Sequence, residues 1–214
     1  FSGRVASCLV NPRACCETEL SIEPAASTKK VAVIGAGPGG MAAAATLAER
    51  GHLVTLFEAE DRLGGQFNMA MVIPGKEDYG ETIRYFSNRL DQLGVDICLS
   101  TRASAEDLTG GGFDAVILAS GATPRPLDLK GADHPKAMSY VDVLWHRKPV
   151  GEKVAIIGAG GIGFDVAEFL TSAAGPIDPN DADIDGFLTE WGIDTTLTGA
   201  GGVTSSGPKM RSSR

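Results

Sequence analysis

One pattern occurs twice in this chain, VAVIGAGPGG at 31–40 and VAIIGAGGIG at 154–163. Each copy is a short apolar run rich in β-branched residues, then G-x-G-x-x-G, then helix-forming sequence. A continuous apolar run of this length reads as a strand buried on both faces of a parallel sheet. The three glycines have separate jobs. The first permits the tight turn out of the strand, the second lets a diphosphate come close to the backbone, and the third lets the helix pack on the sheet. The helix start then offers unpaired N–H groups and the positive end of its dipole. In the first copy the glycines are Gly35, Gly37 and Gly40; in the second they are Gly158, Gly160 and Gly163. A single such motif is weak evidence, because glycine-rich loops are common. Here strand, glycine turn, helix and a downstream acid come in the right order.

The remaining sequence predicts an α/β chain with a doubly wound parallel sheet and the start of a second unit of the same kind. Strands are expected at Val31–Ile34, Leu53–Phe57, Val95–Leu99, Phe113–Ala119 and Val154–Ile157. Helices are expected at Met41–Arg50, capped by Gly51, and at Ile162–Ala173. Tyr79, Ile83, Phe86, Leu90 and Leu93 recur at helical spacing and mark one face of an amphipathic helix ending at Gly94. Ser139–His146 reads as a short helix with Ser139 as its N-cap, and Phe187–Trp191 as one or two helical turns. The stretch Pro176–Asp185 is acidic and irregular, and no closing strand is expected from Gly199 to Arg214. Three segments follow: a linker at 1–27, a first nucleotide domain at 28–148, and a partial second one at 149–214.

The net charge of −8 argues against nucleic acid as the main partner, since a phosphate backbone calls for clustered Lys and Arg. No apolar run is long enough to span a bilayer. The four cysteines, Cys8, Cys15, Cys16 and Cys98, do not form a secreted disulfide framework, so a reducing cytoplasm is expected. Cys98, in an apolar stretch, is expected to be a buried thiol. The opening Phe1 reads as the start of a chain cut from something longer.

The downstream acid is Glu58, at the end of the second expected strand. A carboxylate there can accept hydrogen bonds from the ribose hydroxyls of an adenosine and would repel a 2′-phosphate. The first turn is therefore expected to hold FAD or NAD(H). Two signals favour FAD. In DRLGGQ at 61–66, the glycine pair ending at Gly65 lets the chain pass close to a bound dinucleotide. In LASGAT at 118–123, a strand ends in small residues at Gly121. The second turn is expected to take a nicotinamide cofactor, because a flavin reductase needs a hydride source. Asp178, Asp181, Asp183 and Asp185 read as solvated loop residues. Spacing leaves NAD and NADP equally open.

CLVNPRACCE (8–17), GGQFNMAMVIPGKEDY (64–79), HPKAMSYVDVL (134–144), AIIGAGGIGFD (155–165) and EWGID (190–194) together resemble bacterial NADPH-dependent 2,4-dienoyl-CoA reductases. These belong to the group that includes trimethylamine dehydrogenase and other NADH:flavin oxidoreductases. The resemblance implies a larger parent, with an FMN-bearing TIM barrel that carries the catalytic residues, a 4Fe–4S cluster, and FAD and NADP(H) domains. Electrons would pass from NADPH through FAD and the cluster to FMN, and on to the dienoyl-CoA. It implies that Cys8 matches the last of four cluster ligands. One thiolate cannot hold a four-iron cluster. It also implies FAD contacts from Gly39, Gln66, Lys76 and the backbone of Ala103. No catalytic residue is expected within this stretch. Besides a part of such a reductase, two other readings stay open: an electron-transfer flavoprotein module that works with a separate barrel subunit, and an inactive truncated product.

Overall fold

In the computed structural model of this chain, the described residues are 8, 11, 13–125, 127–172 and 184–203. They fall in two compact units, divided after Ser172.

The first unit is organised around a four-stranded, fully parallel sheet: β1 (Lys30–Ile34), β2 (Leu53–Phe57), β3 (Asp96–Cys98) and β4 (Ala115–Leu118), in the order β3-β2-β1-β4. The order reverses at β1, so the ends of β1 and β4 open a crevice of the kind in which doubly wound sheets bind ligands. Helix α1 (Pro38–Glu49) links β1 to β2 and helix α3 (Tyr79–Gln92) leads to β3. Both lie on one face of the sheet. Val33, Leu56, Met41 and Leu90 are fully buried between them. Burial of each such side chain stabilises the fold by roughly 1.5–3 kcal/mol. The alanines of α1 let it approach closely; Ala44 and Ala45 are buried. Arg89 of α3 reaches across to Glu49 of α1.

Most expected boundaries hold to within a few residues. Helix α1 starts at Pro38, ahead of the expected Met41, because proline's fixed φ and missing N–H suit a first helical position. Gly51 (φ +86°) and Gly94 (φ +67°) leave their helices in the left-handed region. Helix α5 (Tyr140–Leu144) has the anticipated cap: Ser139 Oγ accepts from the Asp142 amide and the Asp142 carboxylate accepts from the Ser139 amide. Lys148 pairs with Asp142 at 2.6 Å, and with the Ser139 bonds it holds that carboxyl far below the usual range. Two short helices were not foreseen. They are α2 (Phe67–Ala70) and α4 (Ala105–Gly110), the latter with a second capping box at Ser104 and Asp107. Cys98 is half-buried rather than buried; its desolvation still raises the thiol pKa.

One expected strand is absent. Val154–Ile157 forms no strand, and Val154, Ile156 and Ile157 are 49%, 40% and 67% exposed. None of the four strands pairs with it. An apolar run becomes a parallel strand only when a neighbour takes up its amides and carbonyls. The helix that follows does form, as α6 (Gly161–Thr171). It is held by a second cluster of Ile73, Val143, Leu144 and Val166.

In the second unit, α7 (Ile184–Glu190) is followed by an isolated antiparallel bridge between Ile193 and Val203, while residues 204–214 lie outside the described residues. The Asp194 carboxylate accepts from Thr196, Thr198 and Gly199, which lowers its pKa strongly, the Thr196 hydroxyl first. Asp185 belongs to α7, whereas Asp178, Asp181, Asp183 and the basic tail lie outside the described residues. Among the described residues no helix is long and apolar enough to cross a membrane.

Candidate functional site

The first glycine turn sits at the C-terminal end of β1, and each glycine has a visible reason. Gly35 has φ +102°, and a methyl group there would come within 2.4 Å of the Ala119 carbonyl oxygen. At Gly40 a methyl would lie 1.8 Å from the Gly35 carbonyl oxygen. These two glycines therefore serve close packing of turn, helix and β4. At Gly37 and Gly39 a methyl would meet nothing within 4 Å. The space above the N-terminus of α1 is open, and its first amides point into it without helical partners. Pro38 contributes no donor there, so the unpartnered amides at this end are those of glycines.

Glu58, one residue past β2, is buried, at 9% exposed. It is not a solvated strand-end charge. One carboxylate oxygen accepts from the Ala36 amide at 2.7 Å and the other from the Glu60 amide at 2.9 Å. Each oxygen keeps a lone pair, so a carboxylate fixed beside the turn can still accept hydroxyl protons. The Thr101 amide donates to the Glu58 carbonyl at 2.7 Å, which brings the segment leading to half-buried Ala103 to the same corner.

The DRLGGQ segment closes over the turn. The Gly64 amide donates to the Ala36 carbonyl at 2.9 Å. Gly65 has φ +51°, and a methyl on it would approach the Gly37 Cα to 3.0 Å. Gln66 Nε2 donates to the Ala122 carbonyl at 3.0 Å, tying this loop to the segment after β4, where Gly121 has φ +71°. Of the expected residues, Gly35 and Gly40 shape the turn, Gly65 packs against Gly37, Glu58 is tied to the turn through Ala36, and Gln66 is tied to the segment after β4. Lys76 is engaged elsewhere, with Nζ 2.6 Å from Asp165 Oδ1 on α6. Sequence reasoning missed Ala36, whose amide holds Glu58. It also missed Ala119, whose carbonyl sets the need for Gly35. Both act through backbone atoms, so their side chains carry no signal.

The second turn repeats the geometry. Gly158 has φ +111°, Gly160 caps α6 in an extended conformation, and a methyl at Gly163 would lie 2.5 Å from the Gly158 carbonyl oxygen. Gly160 and Gly161 face open space. Cys8 is exposed, with its Sγ accepting weakly from the Asn11 amide. Among the described residues no group of three or more His, Cys, Asp or Glu side chains could hold a metal.

Known proteins share this fold. Residues 29–177 match the family model described as pyridine nucleotide-disulphide oxidoreductase. The cinnamate reductase of Clostridium sporogenes is 43% identical over 164 residues, which cover 77% of this chain and 24% of that protein. The NADH oxidase of Thermoanaerobacter brockii is 38% identical over 168 residues, 76% of this chain and 26% of the relative. Among solved structures, a complex of 2-naphthoyl-CoA reductase with 2-naphthoyl-CoA superposes with a TM-score of 0.73 at 37% identity, covering 77% of this chain and 25% of the other. The chain spans about a quarter of the length of these relatives.

Proposed function

The chain belongs to the pyridine nucleotide-disulphide oxidoreductase family and carries its FAD/NAD(P)-binding Rossmann-like domain, and on that premise we propose that the first glycine turn holds FAD. The open space at Gly37 and Gly39, beside a fixed Glu58, carries this reading. The diphosphate would lie on the amides of Gly37, Gly39 and Gly40, where the dipole of α1 favours negative charge. Glu58 would take the ribose hydroxyls, and the segment at Ala103 would border the adenine. Gly65, Gln66 and Gly121 would line the path toward the flavin. Lys76 would reach the cofactor only by releasing Asp165. Bound there, FAD would supply a hydride acceptor that can pass electrons on singly, and these residues would orient it.

The second turn, at Gly158, Gly160 and Gly163, would take the diphosphate of NADP(H). The parent activity we propose is NADPH-dependent reduction of a conjugated carbon–carbon double bond, with 2,4-dienoyl-CoA as the substrate. Electrons would run through FAD and a 4Fe–4S cluster, with Cys8 among its ligands, to FMN in a barrel domain. The cinnamate and 2-naphthoyl-CoA reductases support the reductase class.

The test starts from the purified chain and added FAD. One equivalent is expected to bind. Gly37→Ala, whose backbone (φ −69°) suits any residue, is expected to weaken binding roughly tenfold or more by crowding the diphosphate, with stability changed by under about 0.5 kcal/mol. Equal binding by both chains would contradict the assignment. For the intact protein, NADPH oxidation that depends on 2,4-hexadienoyl-CoA is expected, and its absence alongside turnover of cinnamate would replace the substrate.

A further inference from the structure

A strand normally positions the turn that follows it, yet the run before the second turn is unpaired. Every residue from 151 to 162 is exposed. The second turn must therefore be held from the helix side. The C-terminal part of α6 is fixed by packing. Val166 is buried with Ile73, Val143 and Leu144, Phe169 and Leu170 pack against them, and the Arg147 guanidinium lies 4.9 Å from the Phe169 ring centroid. The N-terminal part lacks such support, with Ile162 51% and Phe164 68% exposed. There the tie to another element is Asp165 to Lys76, at 2.6 Å between half-buried side chains. Lys76 and Ile73 end the same stretch of chain whose other end, Gly64 and Gly65, packs on the first turn.

We propose that Asp165 is a positioning residue for the second glycine turn: paired with Lys76, it fixes the N-terminal half of α6 to the 64–76 stretch, and through it sets where the second diphosphate site stands relative to the first. The pairing has an electrostatic side as well. Asp165 lies little more than one turn from the open amides of Gly160 and Gly161. A bare carboxylate at that distance would oppose an anionic ligand, and the ammonium of Lys76 cancels it. This inference rests on the reading of the second turn as a nucleotide site.

The test compares the wild-type chain with Asp165→Asn, Asp165→Glu and the charge-exchanged double variant Lys76→Asp/Asp165→Lys. Native-state hydrogen exchange reads the anchor directly. In Asp165→Asn the amides of Phe164–Leu170 are expected to exchange roughly threefold to tenfold faster, with those of α1 unchanged. Asp165→Glu and the exchanged pair are expected to restore part of the protection. ADP-ribose, the half shared by NAD and NADP, probes the site. Its affinity is expected to fall in Asp165→Asn while FAD affinity does not fall, since a freed Lys76 can only help the first site, a split that general loosening of the fold would not produce. Unchanged α6 exchange in Asp165→Asn, or no recovery in either rescue variant, would overturn the proposal. If ADP-ribose fails to bind even the wild-type chain, the nucleotide reading of the second turn fails, and the exchange measurement alone decides the anchor.

Discussion

Gly35 and Gly158 leave their apolar runs at φ +102° and +111°, and at Gly40 and Gly163 an added methyl would press on the carbonyl of the glycine five positions earlier. Behind the first turn stand a central strand, two flanking strands and a core with Val33 fully buried. Behind the second stands an unpaired run whose matching residue, Ile156, is 40% exposed. The local sequence is thus enough to shape a glycine turn and start a helix. It is not enough to make a strand. Helix hydrogen bonds close within the segment, whereas a strand's bonds must be supplied by another part of the chain.

Matched substitutions at positions 123 apart test this contrast. The largest effect is expected at the third glycines. Gly40→Ala forces a methyl against a backbone oxygen inside the sheet-helix packing and is expected to cost about 3 kcal/mol or more of global stability. Gly163→Ala makes the same clash at the less constrained turn and is expected to cost about 1 kcal/mol or less. Urea denaturation of the two variants measures both, and equal losses would mean that the second turn is as firmly backed as the first.

Next come the apolar runs. Val33→Ala removes fully buried methyls and is expected to cost about 2 kcal/mol. Ile156→Ala is expected to stay within about 0.5 kcal/mol. A loss above 1 kcal/mol at Ile156, on the order of a buried methylene, would show that the run is packed in solution.

The smallest expected effect is a pH dependence confined to the supports of α6. Asp142 titrates below its usual value because Lys148, then Ser139, stabilise the carboxylate. A depressed folded pKa gives stability that is present above the unfolded value of 3.8 and is lost as pH falls through the lower, folded value. Protection of α5 amides is therefore expected to be kept down to about pH 4 and to fall in stronger acid. In Asp142→Asn that acid-dependent loss is expected to vanish.

Much of the first site was legible because its signals are short-range. The order of strand, three glycines, helix and Glu58 is written in consecutive stretches, and the structure packs Gly65 against Gly37. What could not be read is what depends on backbone atoms or on absent neighbours. From sequence Glu58 reads as a ribose clamp, and in the structure it is first a buried acceptor for the Ala36 amide. Lys76 looked like a cofactor contact, and its partner is a carboxylate on α6 that no local pattern joins to it. The run at 154–157 has a buried strand's composition, but composition cannot say whether a partner strand is there to pair with it.

The assignment of the first turn is tested most directly by amide chemical shifts followed during a titration with FAD. Large shifts are expected at Gly37, Gly39 and Gly40 and smaller ones near Glu58 and Gly65, with Gly158–Gly163 unmoved at one equivalent. Shifts at the second turn instead, or none at either, would contradict that assignment.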